Sequence, residues 1–314
     1  MRIIRHTETL PRELAGAVVA IGNFDGVHRG HQAVMGQARD IATGLGAPVV
    51  ALTFEPHPRS LFQPDSEPFR LTTLRSKAHH LEELGIDGMV VLHFDQAFAA
   101  KSAEDFIAEI LVKGLAARHI VVGEDFAFGR GRAGNVDLLK SMAAASGFDV
   151  TPAVQIRDED GSTISSNTIR VFLRDGRPEA ATRLLGRPWE VDGRVIHGDG
   201  RGVDLGFPTA NVRMEGCLLP RPGVYAVRAG IDAGVDTKWL DGAANFGVRP
   251  QFDGVETRLE VFLMDYSGDL YGRTLRVAFI AFLRPEAAFE DIDALISQME
   301  RDVAEARRLL TPGS

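Results

Sequence analysis

The first half of the chain alternates short apolar runs with segments of helical periodicity, and this order constrains the fold more than any other feature. The apolar runs are AVVAIG (17–22), PVVALTF (48–54), GMVVLHF (88–94), HIVVG (119–123) and the weaker DVTPAVQI (149–156). Between them, Phe106, Ile110 and Leu111 fall on one face of a predicted helix, for which Ser102 is the predicted N-cap. Strands that alternate with helices predict an α/β fold whose parallel sheet is covered on both faces.

The second half, from about residue 186, has β-type runs broken by Gly, Pro and Asp, among them WEVDGRVIHG, GVYAVRAGID and RLEVFLMDY. These runs predict an antiparallel barrel or sandwich. A last helix is predicted from about Phe289 to Leu310, with an apolar stripe formed by Ile292, Leu295, Ile296, Met299 and Val303. Another helix is expected to begin at Ser166 or Asn167 and to run through DGRPEAATRLL. The boundary near LLGRPWEV then gives two predicted domains, 1–185 and 186–314.

Composition argues against several classes of protein. The 314 residues carry a net charge of -8, which disfavours broad binding to nucleic acids or anionic membranes, although a local basic groove stays open. No apolar segment approaches the roughly 20 residues that a membrane helix needs, and the first residues lack a signal-peptide pattern. The single cysteine, Cys217, cannot form an internal disulfide. A cytoplasmic protein without nucleic-acid or membrane partners is expected. The sequence leaves the oligomeric state open, and a homo-oligomer is one possibility.

The segment GNFDGVHRGH follows the first apolar run, where a parallel sheet collects its ligands. The same rule places TFEPHPR (53–59) and GEDFAFGRGRAG (123–134) along that edge. Two histidines three residues apart fit a metal site, a catalytic pair or a polar turn, and the absence of a third ligand nearby disfavours the metal. Three glycines let the backbone approach a ligand closely, and the following helix start attracts anions. The residues alone therefore favour a phosphate site over a metal site.

GNFDGVHRGH also resembles the signature of the prokaryotic bifunctional riboflavin kinase/FMN adenylyltransferases, or FAD synthetases. Further segments match that family in order: TFEPHPR, VGEDFAFGRGRAGN (122–135), ISSNTIR (164–170), LLGRPWEVDGRVIHGDGRGVDLGFPTAN (184–211), NFGVRPQF and LEVFLMDYSGDLYG. The resemblance implies a Rossmann-like nucleotidyltransferase domain followed by a β-barrel riboflavin kinase domain. It implies phosphorylation of riboflavin to FMN and adenylylation of FMN to FAD, each with ATP and Mg²⁺. Two alternatives are a chain with only the kinase active and a flavin-binding regulatory protein without turnover.

Roles in the first module follow from the resemblance. His28, His31 and Arg170 are the implied catalytic residues. The implied ATP and phosphate contacts are Gly22, Asn23, Phe24, Asp25, Gly30, Ser165 and Ser166, and the implied flavin contacts are His57, Asp125, Phe126, Phe128, Arg130 and Arg132.

Simpler interpretations of the same residues stay open. Asp25 can cap a turn, Arg170 can be a surface arginine behind an N-cap, and phenylalanines after a strand usually belong to the core. ISSNTIR also departs from the usual ISSTRIR at Asn167 and Thr168. Retained activity is expected, with reduced ATP affinity left open.

In the second module, GDGRGVDLGFPTAN resembles the flavokinase phosphate loop. The implied phosphate contacts are Gly200, Arg201, Gly202, Gly206 and Pro208, and the implied Mg²⁺ ligands are Thr209 and Asn211. The alternative for PTAN is a simple turn that enters a strand.

Glu260 in RLEVFLMDY is the implied general base of the kinase. Strand alternation places it on one face with Phe262 and Met264, where a carboxylate is costly without a partner or a task. A salt bridge to Arg258 or Arg249 is the competing explanation.

Overall fold

A computed structural model describes residues 1–197, 205–214, 216–251 and 254–311. The chain forms two compact units. One comprises Met1–Glu67 and Lys77–Ser165, and the other comprises Pro68–Ser76 together with the chain from Ser166 onward. The short segment 68–76 is therefore an element of the second unit that comes from the first part of the sequence.

The first unit is built on a six-stranded parallel sheet in the order β1-β4-β3-β2-β5-β6. Its strands are β1 (Arg2–Ile4), β2 (Val18–Ile21), β3 (Val49–Glu55), β4 (Gly88–His93), β5 (His119–Gly123) and β6 (Asp149–Ala153). All neighbours pair in parallel, and β2 and β3 are buried along almost their whole length. The predicted parallel sheet is confirmed. The pattern missed β1, whose three residues become a strand by pairing with β4.

Helices lie between the strands of this sheet along the chain. They are α1 (Arg29–Leu45), α2 (Pro58–Phe62), α3 (Leu74–Glu83), α4 (Gln96–Ala99), α5 (Ala103–Asp105) and α6 (Val136–Ser146). The predicted N-cap is confirmed, since Ser102 Oγ accepts the backbone N–H of Asp105 at 3.0 Å. The helix then continues over Phe106–Gly114 with π-type hydrogen bonding, which 3.6-residue periodicity does not anticipate.

The second unit is a closed antiparallel barrel in the strand order β10-β11-β8-β7-β12-β9. Its strands are β7 (Trp189–Ile196), β8 (Thr209–Arg213), β9 (Gly223–Ile231), β10 (Leu240–Gln251), β11 (Gly254–Leu263) and β12 (Thr274–Arg284). Of the two predicted possibilities, barrel and sandwich, the structure therefore shows the barrel.

Three helices accompany the barrel: α7 (Ser166–Arg174), α8 (Pro178–Leu185) and α9 (Ile292–Leu310). The terminal helix is confirmed and begins after Asp291, whose side chain accepts the N–H of Ala294. The single helix expected from Ser166 through DGRPEAATRLL is wrong, because Gly176 takes a left-handed φ of 71° and Pro178 starts a new helix. No helix within the described ranges combines the length and apolar character that crossing a membrane requires.

Candidate active sites

The loop between β2 and α1 carries the GNFDGVHRGH motif and turns through left-handed backbone. Gly26 has a φ of 85°, and two other residues, Phe24 and Val27, have φ of 49° and 42°. Their side chains are buried, and so is that of Asp25. Left-handed conformations of such residues cost free energy and persist where the surroundings hold them, as they often do in ligand-binding sites. The loop is therefore a constrained segment at the carboxyl edge of the sheet.

The structure brings the two predicted histidines together at the start of α1. His28 is the N-cap, and its Nδ1 accepts the backbone N–H of His31 at 3.3 Å. Because Nδ1 is an acceptor, the neutral imidazole carries its proton on Nε2 and keeps a donor at the far end of the ring. The two rings stack with centroids 3.6 Å apart. Together with the N–H groups of the helix start, this arrangement suits an anion.

Two glycines of the motif give these rings their space. A Cβ at Gly22 would lie 2.8 Å from the ring of Phe24, and a Cβ at Gly30 would lie 3.0 Å from the ring of His28. Phe24 in turn meets His31 edge-on, with ring centroids 5.4 Å apart. The glycines are thus needed for packing of the rings as well as for close approach of a ligand.

Lys77 of α3 is a residue of this site that the sequence analysis missed. Its Nζ donates to the carbonyl oxygen of Asn23 at 2.7 Å and lies 3.3 Å from Thr53 Oγ1. The lysine is only 2% exposed. A lysine in the polar helix LRSKAHHLEE carries no sign of burial in the sequence, since solvent exposure is the usual state of that residue type.

The residues predicted to bind flavin follow β3 and β5. His57 caps α2, where its Nδ1 accepts the N–H of Arg59 at 3.1 Å. The same helix ends at Phe62, which is 68% exposed and whose ring centroid lies 6.1 Å from that of Phe94. The sequence analysis passed over Phe62, although an exposed ring beside a predicted ligand residue is a candidate stacking surface.

The predicted flavin-binding residues after β5 differ in burial: the phenylalanines are buried or partly buried, and the charged residues are exposed. Phe128 is buried in the core, with its ring centroid 5.3 Å from that of Phe106, and Phe126 stacks on it. Phe128 is therefore a core residue, as the simpler interpretation predicted. Arg130 and Arg132 lie at the exposed end of the loop that a Phe128–Gly134 bridge closes, and Asp125 is exposed before it.

Arg170 belongs to the second unit and is buried, so the interpretation as a surface arginine is wrong. Its Nε donates to the carbonyl of Phe69 at 2.7 Å, and its Nη1 donates to Asn167 Oδ1 at 2.6 Å. The unusual Asn167 thus holds the arginine in place. These bonds give Arg170 a structural role in the first turns of α7, which begins at Ser166. Contact of Ser165, Ser166 or Arg170 with phosphate stays a prediction.

A cavity of about 340 Å³ lies in the second unit between the barrel and α9. Apolar side chains form much of its wall, namely those of Leu205, Phe207, Val224, Phe262, Phe289, Leu295, Met299 and Val303. The polar lining residues are Thr209, Asn245, Glu260, Arg284, Glu286 and Asp302. An apolar cavity with a few convergent polar groups is typical of small-molecule sites.

Glu260 lies on the outer face of β11, on the wall of the cavity. Its neighbours Leu259 and Val261 point into the barrel core and are 1% exposed, whereas Glu260 and Phe262 line the cavity. Strand register places Asn211 of β8 and Asn245 of β10 directly opposite Glu260 on its two sides. The carboxylate is therefore flanked by an amide residue on each neighbouring strand.

The ion pairs among the described side chains include none between Glu260 and Arg258. The side chain of Arg249 lies outside the described residues, so a salt bridge from it to Glu260 stays a prediction.

Thr209 and Asn211, the predicted magnesium ligands, carry side-chain oxygens of the kind that Mg²⁺ binds. Thr209 and Asn211 share one face of β8, and Thr209 lines the cavity. Within the described ranges, no group of three or more His, Cys, Asp or Glu side chains is arranged to hold a metal. Two neutral oxygens beside a nucleotide suit Mg²⁺, which completes its shell with phosphate oxygens and waters.

The phosphate loop is only partly described. Gly200, Arg201 and Gly202 lie outside the described residues, whereas Gly206, with a φ of 84°, and Pro208 lead into β8.

A bidentate ion pair holds α9 beside the cavity. Arg284 of β12 donates Nε to Asp302 Oδ1 at 2.9 Å and Nη2 to Oδ2 at 2.7 Å. Gln298 adds a hydrogen bond of 2.8 Å to Asp302 Oδ1. The side chains of Arg284 and Asp302 are 22% and 9% exposed, so the pair is largely removed from water.

Two family models match the chain: FAD synthetase over residues 10–168 and riboflavin kinase over residues 185–310. A bifunctional riboflavin kinase/FMN adenylyltransferase of Escherichia coli (strain K12) is 43% identical over 310 residues, covering 98% of this chain and 97% of that protein. One of Pseudomonas fluorescens is 42% identical over 315 residues, covering 100% and 99%. A crystal structure described as a macrolide-efflux protein from Streptococcus pneumoniae superposes with a TM-score of 0.85 at 30% identity, covering 97% and 98%. The chain therefore belongs to the family of bifunctional riboflavin kinase/FMN adenylyltransferases.

Proposed function

We propose that the chain is a bifunctional enzyme of flavin-cofactor synthesis, which phosphorylates riboflavin to FMN and adenylylates FMN to FAD. The observation that carries the proposal is the presence of two chemically different sites. One is a stacked histidine pair at a helix start, and the other is a carboxylate in a largely apolar cavity. The family models of both activities match the parts of the chain that hold these sites.

We assign adenylyl transfer to residues 1–185 and the kinase to residues 186–314. In the adenylyl step, a phosphate oxygen of FMN attacks the α-phosphorus of ATP and pyrophosphate leaves. A phosphate oxygen is already nucleophilic, so the enzyme contributes position and charge stabilisation. His28 Nε2–H and the N–H groups at the start of α1 are the donors proposed to face the phosphoryl oxygens.

Flavin is proposed to lie against the loops that follow β3 and β5. The exposed Arg130 and Arg132 suit the FMN phosphate, since guanidinium groups match phosphate oxygens with two donors. His57, Asp125 and Phe126 stay proposed neighbours of the flavin.

In the kinase step, the primary hydroxyl of the ribityl chain attacks the γ-phosphorus of ATP and ADP leaves. A hydroxyl is a weak nucleophile, and Glu260 is the proposed acceptor of its proton. Asn211 and Asn245 flank the Glu260 carboxylate and are proposed to orient it and the ribityl chain of riboflavin by hydrogen bonds. When bound through Thr209 and Asn211, Mg²⁺ supplies neutralising charge to the ATP phosphates. The apolar walls of the cavity suit the isoalloxazine ring.

The substrates proposed are therefore riboflavin, FMN and ATP, and a cytoplasmic location suits a chain with one cysteine. The test is a time course of the purified chain with riboflavin, ATP and Mg²⁺, with the flavins resolved by chromatography. FMN should rise first and FAD should follow. FMN without FAD would leave only the kinase active, and unchanged riboflavin would indicate a binding protein without turnover.

A further inference from the structure

The GNFDGVHRGH loop needs support from outside the motif. Phe24, Gly26 and Val27 all take left-handed backbone, and the loop ends at His28, the residue proposed to face phosphate. Such a conformation is maintained only when neighbouring groups determine it.

The carbonyl oxygen of Asn23 is one point at which the loop is held. Lys77 Nζ donates to it at 2.7 Å, and Thr53 Oγ1 donates to it at 3.2 Å. All three groups lie in the first unit, and the lysine and threonine are 2% and 0% exposed. Asn23 immediately precedes the first left-handed residue, so fixing its carbonyl fixes the plane of the peptide from which the turn starts.

Of the two donors, Lys77 makes the stronger contact, because a hydrogen bond from a charged donor is roughly twice as strong as one from a neutral donor. Its bond to the Asn23 carbonyl is also the shorter one, at 2.7 Å against 3.2 Å for the bond from Thr53. The lysine therefore contributes more than the threonine to holding the peptide from which the turn starts.

We propose that Lys77 is a positioning residue of the adenylyl-transfer site. Its ammonium group holds the Asn23 carbonyl, and with it the constrained loop that presents His28. This inference rests on the proposed FMN adenylylation, since it names a further residue of the same site.

The test compares Lys77→Met, which keeps the length of the side chain, with Thr53→Val, which removes the neutral donor and keeps the charge. Lys113→Met is the matched control, because Lys113 is exposed in the same unit. For Lys77→Met, kcat/KM for ATP in FMN adenylylation should fall about 10²-fold, the effect of a misplaced reacting group. Thr53→Val should lose about tenfold or less, as expected for one neutral hydrogen bond.

Three readouts separate positioning from general damage. Riboflavin phosphorylation by the same preparations should stay within about twofold of wild type, since the second unit is untouched. KM should rise for ATP in adenylylation and for pyrophosphate in the reverse reaction, with little change for FMN. Hydrogen exchange of peptides covering residues 22–28 should accelerate in Lys77→Met and not in Lys113→Met.

Equal losses in Lys77→Met and Thr53→Val would overturn the leading role of the charged donor, and unchanged exchange of the loop in Lys77→Met would overturn the positioning role. Equal rises in KM for ATP and FMN would also contradict the inference, because they indicate general disruption. If the wild-type chain forms no FAD, the proposed function fails; the exchange measurement, which needs no turnover, still decides whether Lys77 holds the loop.

Discussion

Removal of the Asp302 carboxylate should release the terminal helix from the barrel and weaken riboflavin phosphorylation. In Asp302→Ala, Arg284 loses a bidentate partner and Gln298 loses an acceptor. Breaking a buried ion pair costs about 3 to 5 kcal/mol. The lower end applies here, because Arg284 is 22% exposed and keeps bonds to the Pro285 carbonyl and the ring of Phe289.

A loss of about 3 kcal/mol corresponds to a fall in Tm of about 6 to 12 °C for a unit of this size. The assay is thermal unfolding by calorimetry, with Glu300→Gln as the control, since Glu300 is an exposed carboxylate on the same helix. The difference should persist at high salt, because buried pairs are poorly screened. Asp302 and Arg284 also line the cavity, so KM for riboflavin should rise while adenylylation of FMN is kept. A fall in Tm below about 2 °C, or one that salt abolishes, would refute the claim that this pair holds the helix.

Two further predictions concern single positions. Burial raises the pKa of Asp192 despite the hydrogen bond from Thr73, so the folded protein holds that proton more tightly than the unfolded chain and loses stability as pH rises through the folded pKa. The Tm advantage of Asp192→Asn over wild type should therefore be larger at pH 8 than near pH 4. A larger advantage near pH 4 would contradict this prediction. Gly30→Ala should slow adenylylation and spare the kinase activity, because the new Cβ would press on the His28 ring. Gly36 lies in open space on the same helix, so Gly36→Ala should raise stability by up to about 1 kcal/mol and keep both activities. Equal effects of the two substitutions on adenylylation would show that the contact with the His28 ring is irrelevant.

The sequence predicted the elements whose pattern is local. The strands of the parallel sheet and the cap at Ser102 follow from alternation and side-chain chemistry within a few residues. The placement of Glu260 beside Phe262 also follows from strand alternation alone.

Features that depend on distant partners could not be predicted. Strand β1 forms by pairing with β4, and the buried Lys77 bonds to the carbonyl of Asn23, which lies 54 residues earlier in the chain. The two amides beside Glu260 come from strands far apart in sequence, and only the register of the barrel places them there. The assignment of segment 68–76 to the second unit has the same origin, since no composition shift marks it.

We propose that one chain carries two independent sites, with His28 acting in adenylyl transfer and Glu260 in phosphorylation. The most direct test is complementation between Glu260→Gln and His28→Ala, each supplied with riboflavin, ATP and Mg²⁺. Glu260→Gln alone should leave riboflavin unconverted, His28→Ala alone should stop at FMN, and an equimolar mixture should form FAD. A mixture that still stops at FMN, or a Glu260→Gln chain that cannot convert added FMN to FAD, would contradict the division of labour.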